Sequence, residues 1–141
     1  MMISTRGRYA LRMMLDLARR GEEGYVSLKD IADRQNISPK YLEQIVPALN
    51  GAGLLRGVRG KRGGYRLSRA PADITAWEIL LTAEGSLAPV TCLQPDQSDC
   101  PRRGDCDSLP VWKGLDRVVR EYLSAVTLQD LIEQTDAGAE A

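Results

Sequence analysis

The sequence predicts a mainly α chain with one small β-hairpin, closed by a long C-terminal helix that seeks a second copy, and three observations predict it. Two short apolar stripes of helical period, one from Leu28 to Ala32 and one from Leu42 to Leu49, are joined by only four residues, Gln35 to Ser38. A glycine-dense turn, Gly60-Lys61-Arg62-Gly63-Gly64, separates two alternating segments, Leu54 to Arg59 and Tyr65 to Leu67, which is the mark of a hairpin. A longer stripe from Leu115 to Val126 has little core of its own left to cover. Helix, tight turn, helix and basic hairpin, in that order, read as a winged helix-turn-helix.

The chain opens with Ser4 and Thr5 as caps of a first helix, in which Tyr9, Met13 and Leu17 share a face with Ala10 and Met14, and Gly21 ends it. Arg6, Arg8, Arg12, Arg19 and Arg20 occupy its other faces. They stand either as a solvated surface or as phosphate contacts, since helices beside a reading helix often touch the nucleic-acid backbone. Tyr25-Val26 is placed to add a short third strand to the hairpin.

In the helix pair, Ser27 caps the first member and Asp30 is a weak capping-box partner, while Leu28, Ile31 and Ala32 form its apolar side. Ser38 caps the second member. Pro39 fits the next position because it needs no hydrogen bond there and its φ is already set. Leu42, Ile45, Val46 and Leu49 must be buried, and Gly51 and Gly53 supply the left-handed positions that stop the helix. Pro47 removes one helical bond at a cost of roughly 3 kcal/mol, so a bend or a loosening after Val46 is expected.

The remaining face begins at Ser38 and carries Lys40, Tyr41, Glu43 and Gln44, all in the first turn and a half, where a helix-turn-helix reads base edges. Glu43 suits the amino group of cytosine and Gln44 the edge of adenine. In the hairpin, Arg56, Arg59, Lys61, Arg62 and Arg66 place five cations within eleven residues. Such a tip attracts phosphate whatever the sequence, and an arginine there can enter a narrow minor groove. Ser38, Lys40, Tyr41, Glu43, Gln44, Arg59, Lys61 and Arg62 are therefore the expected DNA contacts.

Beyond a connector at Ala70 to Asp73, Thr75-Ala76-Trp77-Glu78 is a capping box that starts a helix burying Trp77, Leu80 and Leu81. Residues 85 to 107 are rich in Gly, Ser, Pro, Asp and Gln and hold all three cysteines; a loop of this length in a small chain normally has a task. After Pro110 the stripe Leu115, Val118, Val119, Tyr122, Leu123 and Val126 calls for the same helix of a second subunit, giving a homodimer. Thr127 begins a short last helix with Leu128, Leu131 and Ile132. The expected organisation is a DNA-binding unit at 1–70, a connector helix and cysteine loop at 71–107, a dimer helix with a short terminal helix at 108–135, and a disordered tail at 136–141.

The net charge of zero hides a partition: residues 1–70 carry 14 Lys/Arg against 6 Asp/Glu, and residues 71–141 carry 5 against 13. One half faces nucleic acid and the other does something else. Histidine is absent, there is no phosphate-binding glycine loop and no nucleophile with a base, so an enzyme is not expected. No run reaches the roughly 20 apolar residues of a membrane span, and no signal segment is evident, which makes a cytoplasmic protein with no membrane partner the expectation.

Cys92, Cys100 and Cys106 form a C-x7-C-x5-C array. Structural zinc asks for closer pairs and four ligands, and stable disulfides are rare in the cytosol. Three thiolates in one acidic loop suit an iron-sulfur cluster; the other readings are inert loop cysteines or redox-sensitive thiols.

Taken together, Ser4-Thr5-Arg6-Gly7-Arg8-Tyr9-Ala10, Ile37-Ser38 with Tyr41-Leu42-Glu43-Gln44, Val58-Arg59-Gly60 with Gly63-Gly64-Tyr65, the three cysteines, Trp112, and Thr127-Leu128 with Asp130-Leu131 resemble, over nearly the full length, the Rrf-type family of bacterial winged helix-turn-helix regulators. Its branches are IscR-, NsrR- and CymR-like, and the IscR-like iron-sulfur regulators look most similar. The resemblance implies a dimeric transcriptional regulator, a repressor in the first instance, on a partly palindromic operator in double-stranded DNA. It also implies Cys92, Cys100 and Cys106 as ligands of a cluster, 2Fe-2S in preference to 4Fe-4S. The chain departs from the IscR-like pattern in its longer first cysteine spacing and in Leu109 at the histidine-ligand position. At the position of an aspartate ligand near the first helix in NsrR-like proteins it offers Arg8. That leaves Asp105, Asp107, a carboxylate of a second subunit or an outside ligand for the fourth place. The alternative it implies is a CymR-like, cluster-free regulator controlled by a partner protein, such as a metabolic enzyme, or by thiol oxidation.

Overall fold

A computed structural model describes residues 3–61, 63–95 and 104–140. Helices α1 (Thr5–Arg19), α2 (Leu28–Gln35) and α3 (Pro39–Gly51) are followed by strands β1 (Leu55–Val58) and β2 (Gly64–Leu67), then by α4 (Ala76–Glu84), α5 (Leu109–Ala125) and α6 (Leu128–Glu140). The fold is mostly helical with one two-stranded antiparallel hairpin, a winged helix-turn-helix followed by a long helix.

The caps read from the sequence form. Ser4, Ser27 and Ser38 each accept an amide of the first turn they precede, from Gly7, Asp30 and Tyr41. Thr75 and Glu78 close a full capping box, and Thr127 and Asp130 make a second one, each accepting the other's amide at 3.0 Å. Asn36 stands between α2 and α3 in the left-handed conformation, at φ 54°, and lets the chain reverse in a three-residue turn whose Ile37 is buried.

α1 is the hub of the packing, lying against α2, α3, α4, α6 and β2. Its Met13 and Met14 are fully buried with Ile31, Leu42, Ile45 and Leu49 of the helix pair, Leu54 before the hairpin, and Ile74, Ile79 and Leu128 from the C-terminal half. Burying each such side chain contributes about 1.5–3 kcal/mol. The expected unit at 1–70 therefore does not own its core. Thr75 pairs with Thr127 across a single bridge, with Ala76 N–H donating to the Val126 carbonyl at 2.8 Å and Leu128 N–H to that of Ile74 at 3.0 Å.

The hairpin pairs Leu55 with Leu67, Arg56 with Arg66, Gly57 with Tyr65 and Val58 with Gly64. Tyr25-Val26 adds one bridge rather than a strand: Val26 exchanges both backbone bonds with Tyr65, at 2.9 and 2.8 Å. Gly64 is obligatory at this junction, because a Cβ there would collide with the Val26 carbonyl.

Three expectations are corrected. The loosening expected after Val46 does not occur: α3 continues through Pro47 to Gly51, and Pro47 and Glu43, whose carbonyl loses its helical donor, are both exposed, so water can satisfy that oxygen. Trp77 is only half-buried, with the guanidinium of Arg120 4.6 Å from its ring centre, while Ile79 takes the buried place in α4. The disordered tail expected from Asp136 is helical instead: α6 continues to Glu140, and Asp136 meets Arg19 of α1 at 3.0 Å.

Candidate nucleic-acid interface and cysteine loop

The apolar register of α3 buries Leu42, Ile45, Val46 and Leu49, and that burial alone decides which residues face out. Ser38, Lys40, Glu43 and Gln44 are exposed over the first half of the helix. Tyr41 differs from them: it is half-buried, its ring edge-on to Tyr9 at 5.2 Å and 75°, so it anchors α3 to α1. Arg12 lies 5.4 Å from the centre of the Tyr9 ring on the same side. Arg6 sends its guanidinium across to the Gln44 carbonyl at 3.4 Å, which places a cation of α1 beside the exposed face of α3.

The angle between α1 and α2 is held by a group that patterning did not single out. Asp16 is 4% exposed and receives Arg34 Nη2 at 2.6 Å, Arg34 Nε at 3.0 Å and Gln35 Nε2 at 2.9 Å. Burial pushes this carboxyl up, but the bonds from Arg34 and Gln35 and the charges of Arg34 and Arg20 outweigh it and hold the group below its ordinary 3.8. The same contact raises the Arg34 guanidinium, chiefly through its bonds to Asp16. Arg12 adds a bond to the Gln35 side chain at 3.2 Å and another to its carbonyl. The readable signal is an acid at position 16, one residue from Leu17 on the stripe of Met13.

On the hairpin, Arg56 and Arg66 are register partners, both exposed. Like charges directly opposite each other cost stability in a sheet, and an anion laid over the strands removes that cost. Arg66 also sits 5.7 Å from the Tyr25 ring centre. Arg59 and Lys61 are exposed at the turn, where Gly60 takes φ +111° and accepts from Gly63 N–H at 2.9 Å. Arg62 lies outside the described residues.

Cys92 lies in a single 3₁₀ turn, Thr91–Leu93, and Cys106 lies just before α5; both are free thiols and partly exposed. Ser108 Oγ stands 3.4 Å from Cys106 Sγ. That bond, with the backbone amides of Ser108 and Leu109 at the start of α5, lowers the thiol's pKa despite partial burial and the charge of Asp107. Cys100 lies outside the described residues, among which no three Cys, Asp or Glu side chains gather as a metal-binding group. Asp105 and Asp107 are exposed.

On α5, Val111, Leu115, Val118 and Tyr122 are 61%, 40%, 56% and 67% exposed, an apolar face that nothing in the chain covers among the described residues. Trp112, Asp116, Val119 and Leu123 are half-buried and lie on the side toward α4.

Residues 3–134 match the family described as "Rrf2: Iron-dependent Transcriptional regulator". The chain is similar to the HTH-type transcriptional regulator CymR of Bacillus subtilis, at 41% identity over all of this chain and 96% of that protein. It is 34% identical to the HTH-type transcriptional regulator IscR of Vibrio atlanticus over 96% of this chain and 78% of that one. Among solved structures, that of CymR, the global cysteine regulator of B. subtilis, superposes with TM-score 0.76 at 40% identity, covering 95% of this chain and 98% of the other.

Proposed function

The chain belongs to the Rrf2 family of transcriptional regulators, and from that premise we propose that it acts in the cytoplasm as a homodimer on a partly palindromic operator in double-stranded DNA, as a repressor. The observation that carries this reading is the joint exposure of a polar α3 face and an apolar α5 face. The first is what a reading helix presents, and the second is what a two-fold partner covers. Lys40, Glu43 and Gln44 meet base edges, with Tyr41 holding the helix in place. Arg59, Lys61 and Arg62 meet phosphate or the minor groove, and Ser38 serves as the cap that fixes the helix start.

Cys92, Cys100 and Cys106 would hold an iron-sulfur cluster, 2Fe-2S in preference to 4Fe-4S. The donor set suits it: two free thiols flank the segment that carries the third, and one of them, Cys106, has its pKa lowered by the Ser108 hydroxyl and the α5 amides. When bound, the cluster supplies a redox-sensitive tie across the loop. The chain's own part is to convert the order of that loop into the placement of α5 and hence of two reading helices. Dimeric readers need a fixed half-site separation, so a small shift changes affinity.

A second reading has its own support in the 41% identity to CymR: control without a cluster, through a docked metabolic enzyme or through oxidation of the thiols.

The test of the dimeric reading is stoichiometry on an operator duplex taken from the region upstream of the regulator's own gene. Two chains per duplex are expected, with Leu115→Asp and Tyr122→Asp giving monomers that bind it weakly. A chain that binds the operator as a monomer with undiminished affinity overturns the dimeric reading.

A further inference from the structure

The side of α5 turned away from its apolar face closes a cavity of about 180 Å³ against α4 and the start of the cysteine loop. Its lining includes Trp77 and Leu81 from α4, Leu87 and Leu93 from the loop, and Asp116 and Arg120 from α5. At roughly 30 Å³ per water-sized group, this is room for about six non-hydrogen atoms.

Two charges of opposite sign face this cavity without neutralising each other. Asp116 and Arg120 stand four apart on one helix, with the acid N-terminal, the arrangement in which an ion pair normally forms. Yet Arg120 lies over the Trp77 ring, 4.6 Å from its centre. Asp116, half-buried, makes no hydrogen bond or ion pair among the described residues. The remaining walls are mostly aliphatic and aromatic, with Gly85 and Ser86 among them. A wall with one anion, one cation held on an aromatic face and a largely apolar remainder matches a molecule that carries an ammonium and a carboxylate on one carbon beside a short side chain. With 3.6 residues per turn, Asp116 and Arg120 fall on the opposite side of α5 from Leu115, Val118 and Tyr122, so pairing of two chains through that face leaves the cavity open.

We propose that the cavity between α4, α5 and the cysteine loop is a binding site for a small L-α-amino acid, whose carboxylate meets Arg120, whose ammonium meets Asp116 and whose side chain rests on Trp77 and Leu93. Occupation ties α5 to α4 and to the turn that carries Cys92, so the amino acid is an effector of the loop that the thiols control.

The test is isothermal titration calorimetry on the full-length protein with L-alanine and L-serine, set beside propionate and ethylamine, which each carry one of the two charges. Saturable binding of the amino acids, absent for both controls, is expected. Asp116→Asn and Arg120→Gln should each weaken it by at least roughly tenfold, about 1.4 kcal/mol, with the circular dichroism spectrum unchanged. Leu93→Phe, which narrows the cavity without touching either charge, should weaken it as well. No saturable binding of either amino acid overturns the proposal, as does equal binding of propionate or an unchanged affinity in these variants. The titration contains no DNA, so its failure leaves the operator reading standing.

Discussion

Glu84 Oε1 accepts from both the amide and the hydroxyl of Ser4, at 2.9 and 2.6 Å, and so fastens the first turn of α1 to the last turn of α4. One end of this contact is the cap of the helix whose Arg6 reaches α3. The other is the last residue before Gly85 and the cysteine loop.

Gly7 lies beneath that carboxylate, and a Cβ there would meet Glu84 Oε1 and approach Ile3 Cγ2. Alanine in a helix gains about 1 kcal/mol over glycine, but here it must push the carboxylate off Ser4. Gly7→Ala is therefore expected to destabilise the native chain by about 1 kcal/mol, the loss of two bonds from Ser4 to a carboxylate, about 2 kcal/mol together, less that gain. In a Glu84→Ala background the same change should stabilise. Urea unfolding of the four proteins checks the change of sign; equal effects in both backgrounds would refute the contact.

The Asp16 clamp gives stability a defined acid limb. Its carboxyl is held below the ordinary 3.8 in the folded chain, so the unfolded chain binds the proton more readily. The contribution is complete above the unfolded value and is lost as pH falls through the folded one. Asp16→Asn should flatten the stability profile between about pH 4 and the acid transition and cost about 1.5 kcal/mol at neutral pH, since it exchanges charge-assisted bonds from Arg34 for weaker ones to an amide while the exposed guanidinium stays hydrated. Thermal unfolding across that pH range measures both.

Arg59 and Glu43 should fail in different ways on DNA. Arg59→Ala is expected to weaken binding of every duplex and to reduce the slope of log affinity against log salt by about 0.9, one phosphate. Glu43→Ala should leave the salt slope alone and lower the discrimination between operator and single-base variants by about 1–3 kcal/mol. Fluorescence anisotropy at several salt concentrations separates the two.

The cysteine loop is tested by colour. Protein purified without oxygen should be brown, with iron and sulfide in equal number, and Cys92→Ala, Cys100→Ala or Cys106→Ala should each bleach it. A chain that stays colourless after reconstitution points to the cluster-free reading, with control by a partner protein or by thiol oxidation.

The order of elements could be read from the residues because each is fixed by local chemistry. Ser4, Ser27, Ser38 and Thr75 cap what they precede, and the stripe at Leu42, Ile45, Val46 and Leu49 has a single way to be buried. What could not be read depended on partners distant in the chain. Asp16 finds Arg34 across a helix pair, Asp136 stays helical where it meets Arg19, 117 residues away, and Trp77 is drawn partly outward under Arg120. Pro47 does not end the helix for a different reason: part of its penalty depends on whether water can reach the freed carbonyl, and exposure cannot be seen from the proline itself. The exposed part of the candidate interface followed from the helix register alone, whereas Arg6 at the Gln44 carbonyl follows only from how α1 crosses α3.

Leu128, fully buried beside Ile74 and held by its amide to the Ile74 carbonyl, sets a rule for anyone who would recombine this regulator. Cutting the gene after the hairpin would take away the stopper of the reading head along with the sensor, and the excised piece would expose the apolar floor on which α1 rests. A hybrid that joins this head to a foreign sensing module has to carry the strips around residues 74–76 and 126–128 with it, well past the boundary at residue 70 that sequence position alone suggests.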